Sequence, residues 1–445
     1  MRGRLGKLLV RWVGMAVAGA ILAVGLAGAV SADMVGHGGA IRSVAVSDDG
    51  ARVITASFDY SARIWRFDDQ REVAVLEAHD APVNDAVFLP GRAGAVTAGA
   101  DGKIVHWNTE TGLPKRVLQG HDGRVMALAA SGDGRRIVSG GWDGRVILWD
   151  LAAASKLLEI GAGAAVNTVA FVDGDALVAA GDRDGGIRLW RLADSAVVGR
   201  FQAHALGVTG VVAGADGRRL LSIGRDDTAR LWDLGRQSLI SEYRSLPERN
   251  PIAADLSSAG DRLLLAYLDG SVVHIDADSG DILRVIRAGE GPVWGVTFAA
   301  AGRFALTAGA DERVKIWHLE TGDAIGVAHD DESLRPRPWL QSAHPGARLF
   351  RKCAGCHALT TDERQRSGPH FAGLFGRRAG SVDGYRYSRA LVGTELVWGR
   401  ETLSRLFELG PDRYLPGTKM PLQRIPNKAE LENLIDYLEQ ITGRG

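Results

Sequence analysis

Cysteine is nearly missing: the 445 residues hold two, Cys353 and Cys356, three positions apart. That excludes a multi-bridge disulfide framework. Methionine is scarce too, with five, and Met420 is the only one that follows Met126. Neither sign of charge is in excess, with 53 Lys and Arg against 53 Asp and Glu, so no global attraction to nucleic acid is built in. There is no Walker-type loop, no His-Glu-x-x-His and no Gly-x-Ser-x-Gly. What is plentiful is glycine (58 residues) and apolar side chains (46%), the composition of an all-β chain with many turns. The length calls for two or more domains.

Arg2, Arg4, Lys7 and Arg11 precede an uncharged apolar run from Trp12 to Val30. Val30-Ser31-Ala32 then offers small residues for cleavage before Asp33. This is the layout of a secretory signal over residues 1–32. The run of residues 12–30 is also long enough to serve as an uncleaved membrane anchor. Either way the rest of the chain is expected outside the cytoplasm, as a periplasmic or otherwise exported protein.

The next 300 or so residues repeat. Trp65, Trp107, Trp149, Trp190, Trp232, Ile275 and Trp317 follow one another at spacings of 42, 42, 41, 42, 43 and 42. Six residues before each stands an acid: Asp59, Asp101, Asp143, Asp184, Asp226, Asp269 and Asp311. Four residues before that acid, five units carry a hydroxyl (Thr55, Thr97, Ser139, Ser222, Thr307). Twenty-two residues before it, four carry a histidine (His37, His79, His121, His204). Short alternating segments such as Ile41–Val46 and Arg145–Trp149 read as strands, and Asp49-Gly50, Asp133-Gly134 and Asp216-Gly217 read as the turns between them.

With Gly-His near the start and Trp-Asp near the end of the unit (Trp149-Asp150, Trp232-Asp233), these repeats resemble WD40 repeats. The resemblance implies a seven-bladed β-propeller over residues 33–329, four strands to a blade. It also implies that His, Asp, Ser/Thr and Trp form one hydrogen-bonded chain within a blade, a structural role rather than a catalytic one. Blades one, two, three and five carry the full set. Blade seven lacks the His, blades four and six lack His and hydroxyl, and blade six also lacks the Trp, so blades four and six are expected to be the least rigid. His106, His274, His318 and His329 stand outside the pattern and are read as surface or strand residues. Asp323–Ala328 is the expected outer strand of blade seven, with closure not depending on an N-terminal strand.

Residues 330–342, with Arg335-Pro336-Arg337-Pro338, read as a short stiff linker, and helical periodicity follows over 343–445. Cys353-Ala-Gly-Cys356-His357 places two thiols one helical turn apart and a histidine directly after. Such thiols can add to the two vinyl groups of a haem and leave His357 beneath the iron. A disulfide or a thioredoxin-type pair is the competing reading, but the strand–helix context of the latter is missing. The expected cofactor is one covalent haem c. Met420, in the turn Pro416-Gly417-Thr418-Lys419-Met420-Pro421, is the candidate second iron ligand, and His370 is the other candidate.

Residues 346–442 resemble class I cytochrome c of the mitochondrial and bacterial c2 types. The matching residues are Gly346-x-x-x-Phe350, Gly368-Pro369, Leu374-Phe375-Gly376-Arg377, Gly384-Tyr385-Arg386-Tyr387, Trp398 and Leu434-Ile435-x-Tyr437-Leu438, and Thr418 of the Met420 turn is a further candidate cofactor-binding residue. The resemblance implies an all-α domain whose last helix crosses its first. It implies that Pro369 accepts the proximal histidine's hydrogen bond, and that Arg377, Tyr385, Tyr387 and Trp398 serve the haem propionates. Two departures stand out: Phe407 where the family usually has a Tyr near the methionine, and Leu391 where it often has an Asn. Both remove hydrogen bonding close to the iron.

Residues 343–445 carry 16 basic and 11 acidic side chains, while residues 33–342 carry 33 and 42. A basic haem domain and an acidic propeller attract each other, which suggests an intramolecular contact. Lys352 and Lys419 flank the ligand segments and, by the resemblance, ring the haem edge where redox partner proteins dock. The leading expectation is therefore an electron-transfer protein rather than an enzyme, with the propeller as platform for an unknown protein partner. Two alternatives stay open. One is an oxidoreductase joining haem to propeller, as periplasmic nitrite reductase does on an eight-bladed propeller of another repeat type. The other is a haem-based sensor of a small ligand such as nitric oxide or carbon monoxide.

Overall fold

The computed structural model describes residues 33–91, 94–215, 217–244, 250–325, 339, 342–354, 356–361, 368–385, 387–388, 390–418, 420 and 423–442, without the side chains of 351, 352 and 412. The expected signal or anchor, most of the linker, and His329 lie outside them.

Seven antiparallel sheets follow in chain order. Six have four strands from one repeat, as in blade one: Ile41–Val46, Arg52–Ser57, Ala62–Arg66 and Glu72–Leu76. The register repeats with the sequence. In every blade the third-strand Trp, or Ile275 in blade six, faces an apolar residue of the second strand, as in Val53↔Trp65, Ile137↔Trp149 and Leu263↔Ile275. The first two strands slip by one residue at the same place in all seven blades, a bulge that adds local twist. Second strands are buried after their first residue, and Gly94–Gly99 throughout, because adjacent blades pack on both of their faces.

Blade seven corrects the expectation about closure. Its outer edge is built from both ends of the propeller segment. Met34–Val35 pairs with Val314 and Arg313, and Ala324–Ile325 pairs with Ile316 and Trp317 on the same strand. Met34 is fully buried, and Asp33 lies 3.5 Å from the Arg313 guanidinium. The physical reason lies in the repeat itself. Each histidine sits in the loop that enters its blade, so the segment before His37 corresponds to the outer strand of the preceding blade, which is blade seven.

The C-terminal residues form a helical domain with α1 (Pro345–Ala354), α2 (Arg400–Leu409), α3 (Pro411–Tyr414) and α4 (Lys428–Thr442). As expected, α4 crosses α1. Phe350 meets Tyr437 edge-on at 5.6 Å, and a Cβ at Gly346 would strike the Asn433 carbonyl and Tyr437. Glycine is what permits the close crossing. Arg400 of α2 reaches Glu432, Asp436 and Glu439 of α4 at 2.7–3.0 Å. The network is half exposed, so it orients α2 more than it stabilises the domain.

Candidate functional site

The conspicuous histidines of the propeller are sealed into blades. In blade three, Trp149 Nε1 donates to Ser139 Oγ at 2.8 Å, Ser139 meets His121 Nε2 at 2.7 Å, and His121 Nδ1 meets Asp143 at 2.9 Å. Blades one, two and five hold the same chain through His37, His79 and His204. Burial opposes charge on Asp226, but the Ala205 amide, Thr228 and His204 outweigh it and hold its pKa down at about 2. Burial likewise pushes His121 and His204 down, so both favour the neutral ring that this chain needs. No cluster of three or more His, Cys, Asp or Glu suited to a metal occurs among the described residues.

Two blades depart from the spacing. In blade four the exposed Asp184 does not cap the turn; the buried Asp182 does, accepting the Asp184 and Gly186 amides at 3.0 and 2.8 Å. With no histidine to receive it, the carboxylate two residues earlier closes the turn alone. In blade six Ile275 leaves a hollow of about 430 Å³ lined by Tyr243, Tyr267 and Val273 among others. His274 is a buried strand residue with its ring 6.0 Å from Phe298.

Polar residues of the innermost strands were not anticipated. Asp85 accepts from Ser43 Oγ at 2.7 Å and from the Leu128 amide at 2.8 Å, tying blades one, two and three. Asp255 ties blade six to seven through Thr297 Oγ1 (2.9 Å) and the Phe298 amide (2.8 Å). Full burial pushes the Asp255 pKa up to about 6 against these bonds.

The residues singled out in the helical domain do converge. A cavity of about 360 Å³, within the ~300–1,000 Å³ usual for ligand sites, is lined by Cys353, Cys356, His357, Pro369, Arg377, Tyr385, Tyr387, Trp398, Phe407, Thr418 and Met420. Cys353 lies in the last turn of α1 and is buried; the Cys356 and His357 amides turn back to its carbonyl at 3.0 and 2.9 Å. His357 Nδ1 donates to the Pro369 carbonyl at 2.7 Å, as the resemblance implied, and this assigns the lone pair to Nε2. The ring stacks on Phe371 at 4.4 Å with a 12° tilt. A Cβ at Gly368 would collide with the imidazole, so glycine is required there. On the facing segment, Thr418 Oγ1 accepts the Met420 amide at 3.3 Å after the left-handed Gly417 (φ 84°).

One part of the wall is polar. Arg377 donates to the Ala372 and His370 carbonyls, both at 2.7 Å, while its Nε and Ser388 Oγ are buried without a hydrogen-bond partner among the described residues. Ser388 escaped the sequence reading although it directly follows Tyr387. Elsewhere the wall is mostly apolar, with Leu374, Leu391, Leu403, Leu406 and Phe407 beside Thr418 and Gln423. A flat hydrophobic macrocycle with carboxylate substituents fits that division, with the arginine and the orphaned hydroxyl left to meet the carboxylates. His370 does not line the cavity, whereas Met420 does. The side chain of Lys352 and all of Lys419 lie outside the described residues. Gly39, Ala40, Phe58, Tyr60 and Trp294 of the propeller complete the wall, and none of them is charged.

A β-propeller joined to a helical domain built around a Cys-x-x-Cys-His cavity defines the class. The WD domain, G-beta repeat family model matches residues 29–66, 70–108, 112–150, 155–191, 195–233 and 280–318, just over half of the sequence, and this chain belongs to the WD40-repeat proteins. Most of blade six is left unmatched, in line with its missing His, hydroxyl and Trp. Residues 343–442 match the cytochrome c family, and this part is a cytochrome c domain related to mitochondrial cytochrome c. It is 42% identical over 101 residues to cytochrome c of Cochliobolus lunatus, covering 93% of that protein and 22% of this chain. The cytochrome c of Arabidopsis thaliana is 41% identical over 101 residues (89% of that protein, 22% of this chain), and that of Sesamum indicum 39% over 98 (87% and 22%). A cytochrome c domain implies electron transfer.

Proposed function

We propose that the protein is an exported one-electron carrier whose WD40 propeller is a docking platform for a protein partner. One haem c would be held by thioether bonds to Cys353 and Cys356, with His357 and Met420 as the protein groups offered to its iron and Arg377, Ser388, Tyr385, Tyr387 and Trp398 available to its propionates. When bound, the haem supplies reversible one-electron exchange at iron. The observation that carries this reading is the His357–Pro369 bond, at 2.7 Å inside a cavity also lined by both cysteines and Met420. It fixes the imidazole's tautomer and orientation in advance. Apolar walls would exclude water and keep reorganisation small, and ligation by both His357 and Met420 would leave no open position for substrate.

The test is a redox titration of protein produced with the haem-attachment machinery, together with a haem stain of the denatured chain. One reversible one-electron wave is expected, with stain retained by the wild type and lost in the Cys353→Ser, Cys356→Ser double variant. Stain-negative wild type, or turnover of an oxidisable substrate by the protein alone, would contradict the proposal. One observation keeps the small-ligand sensor in view: Leu391, Leu406 and Phe407 offer no hydroxyl or amide to steady the Met420 sulfur.

A further inference from the structure

The turn between the second and third strands has one position, directly after the repeat acid, where the backbone is left-handed in all seven blades. Four blades place glycine there: Gly102, Gly144, Gly185 and Gly270, with φ of 75–90°. Blades five and seven place Asp227 and Glu312 there, and blade one places Tyr60 at φ 69°. A bulky aromatic residue in this conformation is strained, and such strain persists only where the surroundings over-determine it. Here the surroundings are the haem cavity, since Tyr60 is one of the residues that line it. Tyr60 is half-buried there, in one wall with Cys356 and Tyr385 of the other domain. Beside it, Phe58 packs on Trp294 at 5.7 Å, and the Arg42 guanidinium lies 5.8 and 5.6 Å from the two rings. The propeller thus presents a braced aromatic rim to the cavity, drawn from blades one and seven.

We propose that the haem site is shared between the two domains, with Tyr60 as the propeller residue that closes the cavity over the Cys356 edge. The inference rests on the haem reading above. It adds that the edge through which a free cytochrome c domain would exchange electrons is an internal interface here. Outside partners then reach the haem across the blade-one and blade-seven rim, or only when the domains part.

Tyr60→Gly installs the residue that four sibling blades carry, so the variant folds and relieves backbone strain. Asp227→Gly makes the same change in blade five, outside the cavity, and Tyr60→Phe keeps the ring. In the haem-loaded full-length protein three quantities are compared: the thermal midpoint of the propeller, the haem midpoint potential, and the rate at which ferricyanide takes one electron from the ferrous haem. Both glycine variants should match or exceed the wild-type thermal midpoint. Tyr60→Gly alone should oxidise several-fold faster and at a lower potential, because water reaching the edge favours the more highly charged ferric state. Tyr60→Phe, which keeps the ring, should oxidise more slowly than Tyr60→Gly. Equal oxidation rates and potentials in Tyr60→Gly and Asp227→Gly would overturn the shared site and leave the haem reading standing. A wild-type chain without covalent haem would overturn both.

Discussion

The propeller and the haem domain use histidine in opposite ways. His121 spends one ring nitrogen on Asp143 and the other on Ser139, with its side chain wholly buried inside a blade. His357 spends Nδ1 on a backbone carbonyl and presents its ring to a cavity. The first arrangement consumes the imidazole in structure. The second fixes a tautomer and keeps the rest of the ring for chemistry. Residue type alone does not separate the two; the partner set does.

That contrast can be broken or sharpened by substitution. His357→Ala should abolish the low-spin haem spectrum while the propeller unfolds at its usual midpoint; a propeller destabilised in parallel would mean that the two regions are not separable. Asp255 tests the propeller through pH. Its folded pKa of about 6 lies above the unfolded carboxylate value of 3.8, so the folded state holds the proton more tightly. The resulting stability is complete below the unfolded value and is lost as pH rises through 6, by about 3 kcal/mol in all. Urea unfolding followed from pH 4 to pH 7 should show this falling component in the wild type and not in Asp255→Asn.

His121→Ala leaves Asp143 and Ser139 without their shared partner and should cost about 2 kcal/mol of propeller stability with no change in the haem spectrum. The smallest effects separate regular from irregular blades. Trp149→Phe removes the bond to Ser139 and should cost about 1 kcal/mol. Ile275→Val in blade six should cost only about 0.5 kcal/mol, at the low end for such a change, because the adjoining hollow lets the site relax. A larger penalty at Ile275 than at Trp149 would show that blade six is not the looser one.

Legibility in the sequence followed the range of the interactions. The seven repeats, the four complete hydrogen-bonded sets and the Cys353–His357 motif are local or strictly periodic, so offsets along the chain were enough to place them. Pro369, Arg377, Tyr385, Tyr387, Trp398 and Phe407 were placed by resemblance and Met420 by its turn, and they meet with Thr418 in one cavity. Three features were out of reach because they join distant segments: the pairing of Met34–Val35 with blade seven, the ties through Asp85 and Asp255, and the propeller's share of the cavity wall. Asp182 was missed, and Asp184 taken in its place, for a different reason. Spacing located the position of the blade-four acid, but without a histidine nothing required the carboxylate to stay there. Tyr60 did leave a trace, as a bulky residue in a column otherwise filled by glycine or acids. Only its left-handed backbone and its place against Cys356 and Tyr385 gave that trace a meaning.

The most direct test of the account is the absorption spectrum of the mature full-length protein, oxidised and reduced, with and without carbon monoxide. One covalent low-spin haem per chain, a ferric sulfur-to-iron charge-transfer band and no response to carbon monoxide are the predicted result. A high-spin iron, a carbon monoxide shift or a second chromophore would contradict it and bring the sensor and enzyme readings forward.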